Sequence, residues 1–361
     1  MKKTPSTKSA RNLHLLSQMA LAGDAVEAVK EIAAMDHPQR DEFRRLAHDH
    51  HVVIRAFRIL NSRAVENRET ELAYWTAKVL EAEEARIANA LEFLAEICNR
   101  LEAAGCRVVV MKSLDHWPDI GNDLDLYTSA DEPSTRQVLQ EKLRGSSQPR
   151  AWGDRLAGKW NYRIPGLNTT IEIHHQRLGQ TGEHRALARR FITRRVPLQI
   201  LNYSFLVPAP EEQVIAATLQ RMYRHLYVRI CDVANTAGLV ESGELNYAEL
   251  RTAADLGGIW PGVASYLKIV SDYLLQYRER GLDLPKSVIR DAQLNGDNLV
   301  VRGPWLRLPI FPKIAVFYGK QMASMALRGD LPGTMRLSLL PPLASAAKVA
   351  YKLTGDHRGI W

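Results

Sequence analysis

Between Val108 and Tyr127 the chain reads VVVMKSLDHWPDIGNDLDLY, and its last part alternates aspartate with leucine: Asp123, Leu124, Asp125, Leu126. Strand side chains alternate faces, so residues two apart point the same way. The pattern demands a strand with Leu124 and Leu126 against a core and two carboxylates projecting together from the other face. Neighbouring like charges are costly unless a cation sits between them. A divalent metal is the natural candidate. Upstream, Arg107–Met111 predicts a buried strand and Lys112-Ser113 a turn.

The flanks read differently. From about residue 11 to 105, apolar residues recur at helical spacing: Leu13, Leu16, Met19, then Val26, Val29, Ile32. His37-Pro38 breaks this pattern. A second helix is expected to carry Phe43, Leu46, Val53, Phe57 and Leu60, and a third to run from about Glu69 to Ala104, stopped by Gly105. Further strands are expected at Trp160–Ile164, Thr169–His174 and Pro197–Leu201, with one helix between them after the cap-like Ser134. Pro208-Ala-Pro210 opens a strongly helical stretch, and beyond Pro285 the chain reads as helical with many prolines. The expected fold class is α+β. A small mixed-sheet domain spans 106–208. It is preceded by a disordered tail, 1–10, and a helical region, 11–105, and followed by a helical domain, 209–284, and a basic helical region, 285–361.

Composition bounds the function. Three cysteines, Cys98, Cys106 and Cys231, are too few and too oddly spaced for a disulfide framework or a zinc site. A reducing, cytoplasmic compartment is the expectation. The N-terminus MKKTPSTKSA lacks the apolar core of a signal peptide. No run of about 18 apolar residues exists, so no transmembrane segment is expected. The net charge is +8, and from Val301 onward nine lysines or arginines face only Asp330 and Asp356. The basic character is therefore a property of the C-terminal region.

After Met111-Lys112-Ser113 come nine residues, 114 to 122, and then Asp-Leu-Asp-Leu. This resembles the signature of the nucleotidyltransferase superfamily, the DNA polymerase beta-like proteins. Ile171-Glu172-Ile173 then supplies the third carboxylate expected on a later strand. The lysine before the small residue, the long helix ending in Gly, and the apolar-Glu-apolar-His segment look like the bacterial uncharacterised nucleotidyltransferase family. Tyr223-Arg-His225 and Arg229-Ile-Cys-Asp232 look like its helical half. The resemblance implies a metal-dependent transfer of a nucleoside monophosphate from an NTP to a hydroxyl acceptor. Asp123, Asp125 and Glu172 would be catalytic and would hold two Mg²⁺ ions, or Mn²⁺. Glu172 would also help deprotonate the acceptor. Lys112, Ser113 and His174 would meet the nucleotide, Ser113 touching phosphate oxygens. Two departures stand out. Ser113 occupies a position that is Gly in the family, where a positive φ would strain it. Gly121-Asn122 stands where the narrower family tends to carry an Arg.

Other clusters have plainer readings. Arg185 and Arg189 begin a dense arginine patch, which either contacts an acceptor or phosphate or is a solvated face. His48 and His51 share a helix spacing, but no third ligand is evident. Asp232 is expected to cap its helix or pair with Arg229. The basic C-terminal region, with Trp305, Phe311, Phe317 and Tyr318, fits RNA, an anionic surface through Leu343–Leu353, or simple packing against the bundle. The acceptor read as best fitting is a small molecule. The alternatives are a toxin-like enzyme modifying tRNA, other RNA or protein, and a non-catalytic nucleotide-binding or scaffold relative.

Overall fold

The computed structural model describes residues 8–22, 25–343 and 345–346. Five helices open the chain: α1 (Lys8–Leu21), α2 (Val26–Ala33), α3 (His37–Asp49), α4 (Val53–Glu66) and α5 (Thr70–Ala103). Lys8 to Ala10 thus belong to α1 and not to a tail. The single helix expected over Phe43–Leu60 is two. The chain breaks at His51, whose φ is +49°, and the neighbouring His50 is fully buried. His50 Nδ1 accepts from the Ile230 N–H at 3.0 Å, and Nε2 donates to Pro304 O at 2.7 Å. The long α5 buries Leu80, Ile87, Leu91, Leu94 and Leu101 on one stripe and stops before Gly105, where φ is +78°.

The sheet region follows: β1 (Val108–Met111), β2 (Asp123–Thr128), α6 (Glu132–Leu143), β3 (Ser146–Ser147), α7 (Trp152–Ala157), β4 (Lys159–Arg163), β5 (Thr170–His175), α8 (Arg185–Thr193), β6 (Arg195–Ile200) and β7 (Tyr203–Pro208). The strand order is β1-β2-β5-β4-β3. Only β2 and β5 run parallel, so the sheet is mixed. Leu124, Leu126, Ile171 and Ile173 are wholly buried on one face, as the alternation requires. The N-cap of α6 is Asp131, which accepts from the Ser134 N–H; Ser134 itself lies inside the first turn. β6 and β7 form a separate hairpin beside β1.

The helical part is α9 (Pro210–Thr218), a π-helical turn Leu219–His225, β8 (Tyr227–Val228), α10 (Ile230–Glu241), α11 (Tyr247–Gly257), α12 (Trp260–Leu275) and α13 (Lys286–Asp291). Then come β9 (Val300–Arg302), β10 (Trp305–Arg307), α14 (Ala315–Leu327) and α15 (Leu331–Ser338). β8, β9 and β10 form a small sheet, so the region read as purely helical after 285 carries a hairpin at 300–307 after α13. The packing is mixed helix and sheet, consistent with an α+β fold. Among the described residues no helix is long and apolar enough to cross a membrane.

Candidate active site

Register decides which side chains meet. In the parallel ladder Asp123 faces Thr170, Asp125 faces Glu172 and Tyr127 faces His174. On the other side of β5, Lys159 pairs with His174 and Asn161 with Glu172. Period-two alternation therefore puts Asp123, Asp125, Glu172, His174 and Lys159 on one face of three adjacent strands.

Ligand atoms of Asp125, Glu172 and His174 lie within 4.8 Å of one another. His174 Nε2 is 2.8 Å from Glu172 Oε1 and 3.5 Å from Asp125 Oδ1. Lys112 Nζ sits 2.5 Å from Asp125 Oδ1 and Lys159 Nζ 2.6 Å from Glu172 Oε1. Burial pushes the Glu172 carboxyl up, but the charges of Lys159, His174 and Lys112 outweigh it and hold the group well below the usual range. Burial lowers Lys159 to about 8 against the pull of Glu172.

Asp123 stands one rung away, at the exposed start of β2. It is not in the close trio; its Oδ1 accepts from Thr170 Oγ1 at 2.5 Å. Neighbouring protein still desolvates its carboxyl and raises its pKa, with Asp125 and Glu172 adding repulsion.

Ser113 is placed differently from its expected role. The positive φ of the turn, +59°, falls on Lys112, so Ser113 escapes the strain anticipated for it. The Ser113 hydroxyl is buried. It accepts from the Asp125 N–H at 2.7 Å and donates to Asp123 O at 3.2 Å. It ties the turn to β2 and is spent on backbone. Arg86 from α5 donates to Ile120 O and Gly121 O at 2.8 and 3.2 Å and pairs with Glu83. An arginine thus does reach the lead-in to the aspartates, from another element and through backbone.

The loop 114–122 is anchored to both α4 and α10. Asp119 caps α4, accepting from the Ile54 N–H at 2.7 Å and the Arg55 N–H at 3.2 Å. Burial raises it to about 7. Arg55 donates to Trp117 O at 2.5 Å and Asn235 Oδ1 at 3.0 Å. His116 stacks on His51 and accepts from Asn235 Nδ2 at 2.7 Å.

The remaining predicted residues separate from the site. Arg185 and Arg189 are exposed on α8. Their neighbours staple the fold: Arg190 and Arg194 pair with Glu212 and Glu249, and Arg195 pairs with Glu102. His175 is buried, and its Nδ1 lies 3.3 Å from Gly158 O. His51 faces His116 and Arg229, not His48. Asp232 caps α10 through the Arg229 N–H at 2.7 Å and pairs with the buried Arg221, also at 2.7 Å. Phe317 is buried, and Trp305 packs at a tilt against Tyr227 with centroids 4.4 Å apart. The segment Leu343–Leu353 falls largely outside the described residues. Lys159 was not anticipated. Its only signal was a lysine just before the strand expected at Trp160–Ile164, which means little until the register is known.

A pocket lined by Lys112, Lys159, His174, Leu219, Tyr223 and Tyr318 covers this face of the sheet. It adjoins a cleft of about 630 Å³ walled by Tyr223, Arg224, Leu226, Tyr318 and Leu340. At the opposite end, Asp123 borders a polar groove with Arg144 and Arg163.

An acidic and cationic cluster thus lies on a mixed sheet, beside a Lys-Ser turn and under helices. Residues 36–274 match the family described as uncharacterised nucleotidyltransferase. That span is more than half of the chain, and the chain belongs to this family. No curated protein matches it. One similar solved structure is an antigenic nucleotidyltransferase-like protein from Paracoccidioides brasiliensis. It is 16% identical, with 52% of this chain and 94% of that chain covered and a TM-score of 0.33, too slight a likeness to argue from.

Proposed function

We propose that the chain is a metal-dependent nucleotidyltransferase that moves a nucleoside monophosphate from an NTP to a hydroxyl on a small molecule. The observation that carries this reading is the convergence of Asp125, Glu172 and His174 within 4.8 Å, beside Lys112. The donor set fits a divalent ion, with two hard carboxylate oxygens and one imidazole. His174 Nδ1 is also buried without a hydrogen-bond partner. Asp125, Glu172 and His174 would hold one ion, and Asp123 beside them would share a second. Bound there, such ions neutralise phosphate charge and align nucleophile with leaving group.

The chain's own groups do the rest. Lys112 and its turn meet the β- and γ-phosphates. The acceptor oxygen bonds to the α-phosphorus as the bond to the bridging oxygen breaks, and pyrophosphate leaves. Glu172, ionised beside Lys159 and Lys112, is both a ligand and the group that takes the proton of the attacking hydroxyl. The adjoining cleft is apolar, of small-molecule size, and has Arg224 in its wall. That favours a small acceptor over an RNA end.

One observation favours a second reading, a non-catalytic relative. Lys112 and Lys159 already neutralise Asp125 and Glu172, as a structural ion-pair network would. The test is incubation of the full chain with each α-phosphate-labelled NTP, Mg²⁺ or Mn²⁺ and fractionated extract, beside Asp125→Asn and Glu172→Gln. Label on a small metabolite, lost in both variants, is expected. Label on RNA or protein moves the acceptor class. No transfer with any NTP overturns the enzyme reading.

A further inference from the structure

Lys159 has only 2% of its surface exposed, yet its ammonium group faces the same carboxylate cluster as Lys112. Lys159 Nζ takes Glu172 Oε1 at 2.6 Å; Lys112 Nζ takes Asp125 Oδ1 at 2.5 Å and lies 4.0 Å from Glu172 Oε1. These are the oxygens a divalent ion would use. An ammonium group and a metal ion compete for them. The charge count sharpens the conflict: Asp125 and Glu172 are neutral together with the two ammonium groups, and Asp123 at the edge adds one negative charge. A lone divalent ion added to that set leaves a positive charge uncompensated in a half-buried site, which is unfavourable. A metal–polyphosphate pair brings its own negative charge. It also offers the ammonium groups new oxygens, since both lysines line the pocket over the site.

Resting on the nucleotidyl-transfer reading, we propose that Lys112 and Lys159 couple metal entry to triphosphate entry, and that Lys159 is a triphosphate-binding residue. The ammonium groups leave Asp125 and Glu172 only when phosphate oxygens receive them. The ion gains the carboxylates in the same event. Lys159 suits this role because β4 fixes its backbone beside His174, so only the end of the side chain has to swing.

The test uses the full chain, Mn²⁺ and inorganic tripolyphosphate, with free Mn²⁺ followed by electron paramagnetic resonance. Tripolyphosphate removes any dependence on the base. Wild type should bind Mn²⁺ weakly alone and roughly tenfold or more tighter with tripolyphosphate, beyond the binding of Mn²⁺ to tripolyphosphate itself. Lys159→Met and Lys112→Met should each bind Mn²⁺ alone roughly tenfold tighter than wild type and lose most of the tripolyphosphate enhancement. Circular dichroism checks that the variants fold; Lys112→Met, at a less buried site, carries the test if Lys159→Met does not. Wild type binding Mn²⁺ alone as tightly as the variants overturns the proposal, as does an absence of enhancement. Coupling without any label transfer keeps this inference and defeats the transfer reading. Transfer without coupling does the reverse.

Discussion

Replacing Ser113 with Gly separates two accounts of the turn, because they predict opposite signs. If position 113 were a phosphate turn requiring glycine, Ser113→Gly would relieve strain and be neutral or stabilising. The geometry says otherwise. The positive φ is on Lys112, and the Ser113 hydroxyl bridges the Asp125 N–H and Asp123 O. Deleting the hydroxyl leaves the Asp125 N–H, inside the sheet, without its acceptor, at a cost of roughly 1–3 kcal/mol. Gly also frees the unfolded chain, adding about 0.5–1 kcal/mol. Ser113→Ala should therefore lose roughly 1–3 kcal/mol, and Ser113→Gly up to about 1 kcal/mol more. Urea unfolding with a shared m-value measures both. A Ser113→Gly protein as stable as wild type would refute the reasoning, and equal losses for Ala and Gly would remove its second term.

Three further outcomes follow from the same geometry. The imidazole in the donor set should let Mn²⁺ saturate the site at lower concentration than Mg²⁺, and His174→Asp should narrow that gap; metal titrations followed by isothermal calorimetry in the presence of tripolyphosphate check it, and equal affinities in wild type defeat it. Burial depresses His50 and His175 to about 4 and His116 to about 3. The unfolded chain then binds more protons below 6.5, so this stability is present above pH 6.5 and is lost as pH falls toward about 4. Asp119, raised to about 7 by burial, acts in the opposite direction: its contribution is present at acid pH and lost as pH rises through 7. Asp119→Asn removes that offset, so the variant should lose stability more steeply than wild type between pH 7 and 4; parallel melting curves would contradict this. Arg55→Ala strips the donor to Trp117 O from the site loop, the donor to Asn235 of α10 and a cation from beside the buried Asp119, and should cost roughly 2–4 kcal/mol by urea unfolding. A loss below about 0.5 kcal/mol would show that the loop is held elsewhere.

The sheet was legible because alternation is a strong local signal. Asp-Leu-Asp-Leu and Ile-Glu-Ile each need an apolar face, and Leu124, Leu126, Ile171 and Ile173 are wholly buried. The end of α5 was legible for a similar reason, since a long helix meeting Gly105 has little alternative. What depends on partners distant in sequence was not legible. His50 and His51 continue a helical pattern, and the break there is held by Ile230 and Pro304, about 180 and 254 residues on. The arginine patch read as dense charge because its glutamates, Glu102, Glu212 and Glu249, come from three other elements. Lys159 joins the site through strand register, which no single segment encodes. The hairpin at 300–307 was missed because three-residue strands carry too little periodicity to register.

The site's geometry is set by parts of the chain that do no chemistry. The two aspartates sit on a strand, but the turn that presents Lys112 is followed by a loop with little regular structure of its own. Its position is imposed from outside. α4 grips Asp119 through two backbone donors, Asn235 of α10 grips both Arg55 and His116, and Arg86 of α5 holds the two carbonyls just before Asn122. The N-terminal helices and the helical half therefore close on the same nine residues from two sides. Buried, mutually satisfied polar groups of this kind resist small displacements, since moving one orphans another. The lead-in to Asp123 does not need an arginine of its own for order, because Arg86 supplies that order from α5. The charge left facing the sheet then belongs to Lys112 and Lys159, the two groups that the proposed exchange between carboxylate and phosphate requires to move.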